Sequence, residues 1–223
     1  AFIKQSLELL RTEYLDSVFS GRCQIALFLD AAGRSHYTRP LTNLPMELSR
    51  TGAPFAPMLL TDLPRVDPSR FRTAVFFNVW SWTPEELAAL KRWQSRGRSL
   101  VFVGGEAPEP VPAASLPMEG SDGTVTVLDD WQRYDFAEAP GADALREICA
   151  LSGAHIYSFG GDVVYAGGSL VAIHAASSGE KRLYLPRKGR LTDVFTGETL
   201  TACDYFTDFS MELGETRVFR AGV

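Results

Sequence analysis

The sequence predicts an α/β fold: a parallel sheet with helices on both faces, followed by a small antiparallel β-domain. Two apolar runs of strand length, Gln24-Ile-Ala-Leu-Phe-Leu29 and Thr73-Ala-Val-Phe-Phe-Asn-Val-Trp80, are nearly unbroken. Such runs suit strands covered on both faces. A helix with an explicit start signal separates the second run from Ser99-Leu-Val-Phe-Val103, which makes a parallel crossover unit. From Asp162 the period changes to alternation, with Phe209, Met211 and Leu213 facing one way and Ser210 and Glu212 the other. That is the pattern of a half-exposed antiparallel sheet.

The elements follow in order. Phe2 to Phe19 places Ile3, Leu7, Leu10, Tyr14 and Val18 on one stripe, a helical spacing that Gly21 ends. The strand Gln24 to Leu29 leads into the polar loop Asp30 to Pro40. Leu41 to Thr51 is a helix closed by Gly52, and Pro54 to Leu60 a second strand. After the strand Thr73 to Trp80, Thr83 is an N-cap, Pro84 fits the first helical position, and Glu86 completes a capping box. Trp82 and Leu87 are spaced as a hydrophobic staple, and Gly97 is placed to end that helix. Glu106 to Gly123, rich in Pro, Ala, Glu and Gly, reads as a long loop. Thr124 to Leu128 is a strand, Asp129 to Tyr134 loop-like, Ala142 to Leu151 a helix, and Ala154 to Tyr157 a short strand.

The last third reads as short β-type runs: Asp162 to Tyr165, Leu170 to Ala175, Lys181 to Pro186, Asp193 to Glu198 and Gly214 to Phe219. Turns such as Ser-Ser-Gly-Glu and Arg-Lys-Gly separate them. The expected organisation is an N-terminal helix or linker over 1–20, an α/β domain over 21–160, and an antiparallel β-domain over 161–223.

Composition bounds the function. The 223 residues carry a net charge of −5, whereas nucleic-acid binders usually show a basic face. No apolar run reaches the roughly 18 residues of a membrane span. The first residues lack the uninterrupted apolar centre of a signal peptide. A start at Ala1 suggests an excised fragment, and the compartment stays open. Cys23, Cys149 and Cys203 lie too far apart for a zinc motif and are odd in number, so buried thiols are expected. His36, His155 and His174 lack metal-ligand spacing. The Gly pairs at 104–105, 160–161 and 167–168 suit turns, and no phosphate loop or dinucleotide fingerprint occurs. No metal or cofactor is expected.

Several motifs resemble the flavodoxin-like domain that follows the catalytic barrel in family 42 β-galactosidases. They are Ile25 to Leu29 with its loop, Pro45-Met-Glu-Leu48, Thr51-Gly-Ala-Pro54, Ala74-Val-Phe-Phe-Asn78, Thr83-Pro-Glu-Glu-Leu87 and Gly97 to Val103. That domain is related in fold to class I glutamine amidotransferases. Ile173-His-Ala, Leu185-Pro, Asp193 to Glu198 and Gly214-Glu-Thr-Arg217 resemble the β-domain that closes such enzymes. The resemblance implies a non-catalytic trimerisation or oligomerisation role, with the catalytic barrel and further copies, as a dimer or trimer, as partners.

No catalytic residue is assigned. The amidotransferase relatives use a Cys on a strand-to-helix elbow with a His and a Glu. Here the matching strand ends Val103-Gly-Gly-Glu106, without a Cys. Asp30, Glu106, Asp129 and Asp130 are carboxylates, but none sits in a pattern that marks the acid and nucleophile of glycoside hydrolysis. The candidate ligand site is the crevice beyond the carboxyl ends of the parallel strands, with Asp30, Arg34, His36, Tyr37, Arg39, Asn78 and Glu106. Those residues could ring a sugar hydroxyl or a carboxylate, so carbohydrate is a possible partner. A solvated loop or a subunit contact is the alternative. Trp131 and Tyr134 are the interface candidates, since aromatics anchor interfaces as well as stack on sugars.

Overall fold

A computed structural model of the protein describes residues 23–30, 43–110, 112–202 and 204–221. The N-terminal helix expected over 2–19, and Arg34, His36, Tyr37, Arg39 and Cys203, lie outside these residues. The described residues divide into two compact units, one from Gln24–Leu48 and Phe55–Ala154, the other from Ser49–Pro54 and His155–Val223 with Cys23.

The first unit holds a seven-stranded mixed sheet. Its strands are β1 (Ile25–Leu29), β2 (Phe55–Leu59), β3 (Thr73–Val79), β4 (Arg98–Gly105), β5 (Leu116–Pro117), β6 (Thr124–Leu128) and β7 (Trp131–Phe136). The order is β2-β1-β3-β4-β7-β6-β5. The first five in this order are parallel, while β6 and β5 form an antiparallel edge. Among the described residues the helices are short: α1 (Leu44–Ser49), α2 (Pro84–Leu90) and α3 (Ala142–Leu151), with 3-10 turns at Leu60–Arg65 and Pro68–Arg70.

Every residue of β3 is buried, as its unbroken apolar run requires of a strand covered on both faces. Phe28, Phe76 and Phe102 occupy one level of β1, β3 and β4. Their rings stack at 5.3 and 5.1 Å between centroids. Trp93 meets Phe28 edge-on at 5.4 Å, and the Arg133 guanidinium lies 5.1 Å from the Phe102 centroid. The sheet is thus pinned by an aromatic column running across the strands.

The capping box forms as expected: the Glu86 amide donates to Thr83 Oγ1 and the Thr83 amide to the Glu86 carboxylate. Three expectations for this unit are corrected. The helix ends at Leu90, well before Gly97. Gly97 (φ +66) instead closes the turn that enters β4. Asp129 to Tyr134 is not a loop, because Trp131 opens β7, a parallel neighbour of β4. The long loop after Glu106 contains β5.

The second unit holds β8 (Val163–Gly167), β9 (Leu170–His174), β10 (Gly179–Tyr184), β11 (Gly189–Asp193), β12 (Thr199–Ala202), β13 (Phe206–Met211) and β14 (Thr216–Ala221). They form a five-stranded sheet, β12-β11-β14-β9-β8, and the ribbon β10–β13, antiparallel throughout. Val164, Val171, Ile173, Leu183, Phe209 and Phe219 form the centre of its core.

Four expectations are corrected here. Asp193 to Glu198 is not a strand of its own: Asp193 ends β11 and the residues after it turn, because the Asp193 carboxylate accepts the Phe195 and Thr196 amides. The strands on either side of that turn, β11 and β12, were not anticipated. Ala154 to Tyr157 makes isolated backbone bonds rather than a ladder: the Tyr157 amide donates to Gly52 and its carbonyl accepts from Tyr184. Leu213 lies beyond the end of β13 and is exposed.

Candidate functional site

The carboxyl ends of the parallel strands are set by register. Leu29 pairs with Phe77, and Phe77 with Val103. Asp30, Asn78 and Gly104 therefore come next, level with one another on adjacent strands. From β1 the chain goes on to β2 on one side, and from β3 to β4 on the other. The strand order thus reverses between β1 and β3, where open α/β sheets leave a crevice.

Asn78 is buried and has φ 55, a region that few side chains other than Asn and Asp tolerate. The Trp80 ring N–H donates to Asn78 Oδ1 at 2.8 Å. The twist at Asn78 interrupts the ladder before Val79 pairs with Gly105. There the β3 and β4 ends close on each other: the Glu106 amide donates to the Val79 carbonyl at 2.6 Å. Gly105 (φ +70) admits this approach, since a Cβ there would sit 2.0 Å from the Val79 oxygen. Trp82 lies against Phe76 and Phe102 and donates to the Glu106 carbonyl at 2.9 Å.

Of the predicted crevice residues, Asp30 and Asn78 flank the switch point. Glu106 is exposed, one strand further on.

On the far side of β4 lies an open depression of about 320 Å³. Gly104 and Gly105, Asp135 and Phe136 at the end of β7, and Asp122 and Thr124 before and within β6 line it. Its carboxylates are engaged. Arg133 grips Asp135 through two hydrogen bonds of 2.8 Å and also donates to the Glu109 carbonyl. Asp122 accepts the Glu138 amide at 3.0 Å. The residues from β6 and β7 were missed because β7 was not recognised. The one sequence signal was the alternation of Tyr134 and Phe136, hidden by polar neighbours.

Trp131 is half-buried at the start of β7 beside a second depression of about 330 Å³, lined also by Val127, Asp130 and Leu151. Tyr134 is buried within the sheet, and its hydroxyl donates to Gln132. It offers no surface to a partner. Burial pushes the Cys149 thiol up to about 12, which leaves no reactive thiolate at neutral pH. Among the described residues, no group of His, Cys, Asp and Glu is placed to hold a metal ion. No described helix is long and apolar enough to cross a membrane.

No protein-family model matches the chain, and no curated protein matches it. Solved structures do. A β-galactosidase from Bacillus circulans sp. alkalophilus superposes with TM-score 0.63 at 12% identity, over 90% of this chain and 42% of that one. A β-galactosidase from Rahnella sp. R3 gives 0.58 at 8%, over 90% and 41%. A GH42 β-galactosidase from G. stearothermophilus gives 0.53 at 15%, over 90% and 40%. The chain spans about two fifths of the length of these proteins. Its fold is that of a part of GH42 β-galactosidases.

Proposed function

We propose that the chain is a non-catalytic structural and oligomerisation module from the C-terminal part of a β-galactosidase-like glycoside hydrolase. The observation that carries this reading is the lopsided coverage: 90% of this chain against 42% of the enzyme. The engaged carboxylates agree with it. Glycoside hydrolysis needs two carboxyl groups flanking the bond, whereas Asp135 is clamped by Arg133 and Asp122 by a backbone amide. The order β2-β1-β3-β4-β7 follows the 2-1-3-4-5 arrangement of flavodoxin-like sheets, which supports a flavodoxin-like, amidotransferase-related first domain. The partners under this reading are a catalytic barrel and further copies, as a dimer or trimer. The test is to assay the purified chain on a chromogenic galactoside and to measure its solution mass over a concentration series. Assembly without turnover is expected. Turnover that is lost on Asp122→Asn or Asp135→Asn would overturn the proposal.

A second reading is a small-ligand or carbohydrate site at the β1/β3 crevice. The strained, buried Asn78 favours it, because such backbone positions cluster at ligand sites. Calorimetric titration with galactose and lactose tests it. Saturable heat lost in His36→Ala or Arg39→Ala supports it, and no heat removes it.

A further inference from the structure

One end of the β10–β13 ribbon gathers exposed rings and cations that hold no carboxylate among the described residues. The last rung of the ribbon pairs Tyr184 with Phe206, whose rings lie 6.0 Å apart. Phe159, 55% exposed, meets Tyr184 edge-on at 5.3 Å. Past this rung the Leu185 amide donates to the Tyr205 carbonyl at 2.7 Å. Tyr205 holds φ 66, a left-handed conformation uncommon for a non-glycine residue, and it is 52% exposed. The turn that follows β10 carries Arg187 and Lys188, and the next strand, β11, carries Arg190 near its start, all exposed. Among the described residues none of these forms an ion pair, although the chain is acidic overall. Lys188 stands 5.4 Å from the Tyr205 centroid. Asp204, next to Tyr205, pairs with none of them. Elsewhere in this unit, buried Lys181 and half-buried Arg217 each hold a carboxylate.

We propose that this ribbon end is a binding surface for an anionic sugar chain. Carboxylate or sulfate groups on the sugar would meet Arg187, Lys188 and Arg190. Sugar C–H faces would pack on Tyr205 and Phe159, as aromatic rings accept apolar faces beside polar groups. The cations supply charge complementarity to an otherwise acidic protein. The choice of a sugar rests on the glycoside-hydrolase reading above.

The test is calorimetric titration of the whole chain with oligogalacturonate, a sulfated galactan oligosaccharide, lactose and oligoglutamate, at low and at physiological ionic strength. Saturable binding of one or both charged sugars, weakened by salt, is expected, and the sugar that binds identifies carboxylate or sulfate as the recognised group. Arg187→Ala combined with Lys188→Ala should weaken it by about tenfold. Tyr205→Ala should weaken it by about threefold or more, while Tyr205→Phe retains it, circular dichroism confirming the fold of each variant. No saturable binding of either charged sugar overturns the proposal. So does oligoglutamate binding that matches the sugars and survives Tyr205→Ala, which would mark a docking surface for acidic protein. The module reading is judged separately, by galactoside turnover and solution mass, and neither depends on Arg187 or Tyr205.

Discussion

Lys181 and Asp162 form a buried ion pair at 2.8 Å, with side chains 5% and 1% exposed. Asp162 also accepts the Ala176 amide and the Ser158 hydroxyl, and Lys181 donates to Ser177. The pair ties the Ser158–Asp162 turn to β10 and to the Ala176–Ser177 turn. Removing one partner of such a pair leaves a buried charge uncompensated, at a cost of about 3–5 kcal/mol. Asp162→Ala is expected to lose that much in urea unfolding. Asp162→Leu with Lys181→Met should recover part of it. If the single substitution is neutral, the pair is not a structural clamp.

His155 is expected to make stability fall on mild acidification. Burial lowers its pKa, and the hydrogen bond with the Tyr184 carbonyl only partly offsets this. The folded state therefore favours the neutral ring, which packs edge-on against Tyr157. With the folded pKa below the unfolded value of about 6.5, its contribution is complete above that pH. It is lost as pH falls through the folded pKa. Unfolding free energy measured from pH 7.5 down to 5 should decline, and His155→Gln should flatten that decline. An unchanged slope in the variant would assign the effect elsewhere.

Thr83→Ala is expected to cost about 1 kcal/mol, since it removes the acceptor for the Glu86 amide. Thr83→Ser should restore most of it. The check is the thermal midpoint of the three proteins under one condition.

Gly105→Ala should disrupt the joined ends of β3 and β4. The new Cβ meets backbone at 2.0 Å, and φ is already +70, so a loss well beyond the roughly 1–2 kcal/mol of left-handed backbone alone follows. Gly97→Ala is the control: φ is +66, but no atom lies within 4 Å of the added carbon. It should lose only the cost of left-handed backbone, about 1–2 kcal/mol. Equal losses in the two variants would mean that the close approach at Val79 carries no extra cost.

Much of the fold was legible because some signals are local. The apolar runs of β1, β3 and β4 declared strands buried on both faces, and Thr83, Pro84 and Glu86 marked the start of α2 at the right residue. The helix expected over Ala142 to Leu151 matches α3 in both bounds. The elements that escaped were those whose polar residues find partners only in three dimensions. Arg133 in β7 reads as a surface cation, yet it is buried because Asp135 and the Phe102 ring receive it. Asp193 to Glu198 has strand-like composition, yet one carboxylate folds it into a turn.

The candidate site divides the same way. By itself the sequence determined the strand ends where Asp30, Asn78 and Glu106 fall, and the absence of a nucleophilic Cys after Val103. Backbone conformation and long-range pairing were settled only by tertiary structure: the positive φ of Asn78 and Tyr205, the clamp on Asp135, and the convergence of Phe159, Tyr184 and Phe206. The physical reason is that hydrophobic period and capping chemistry act over a few neighbouring residues. Whether a charge is paired or a ring exposed depends on strands far apart in the chain.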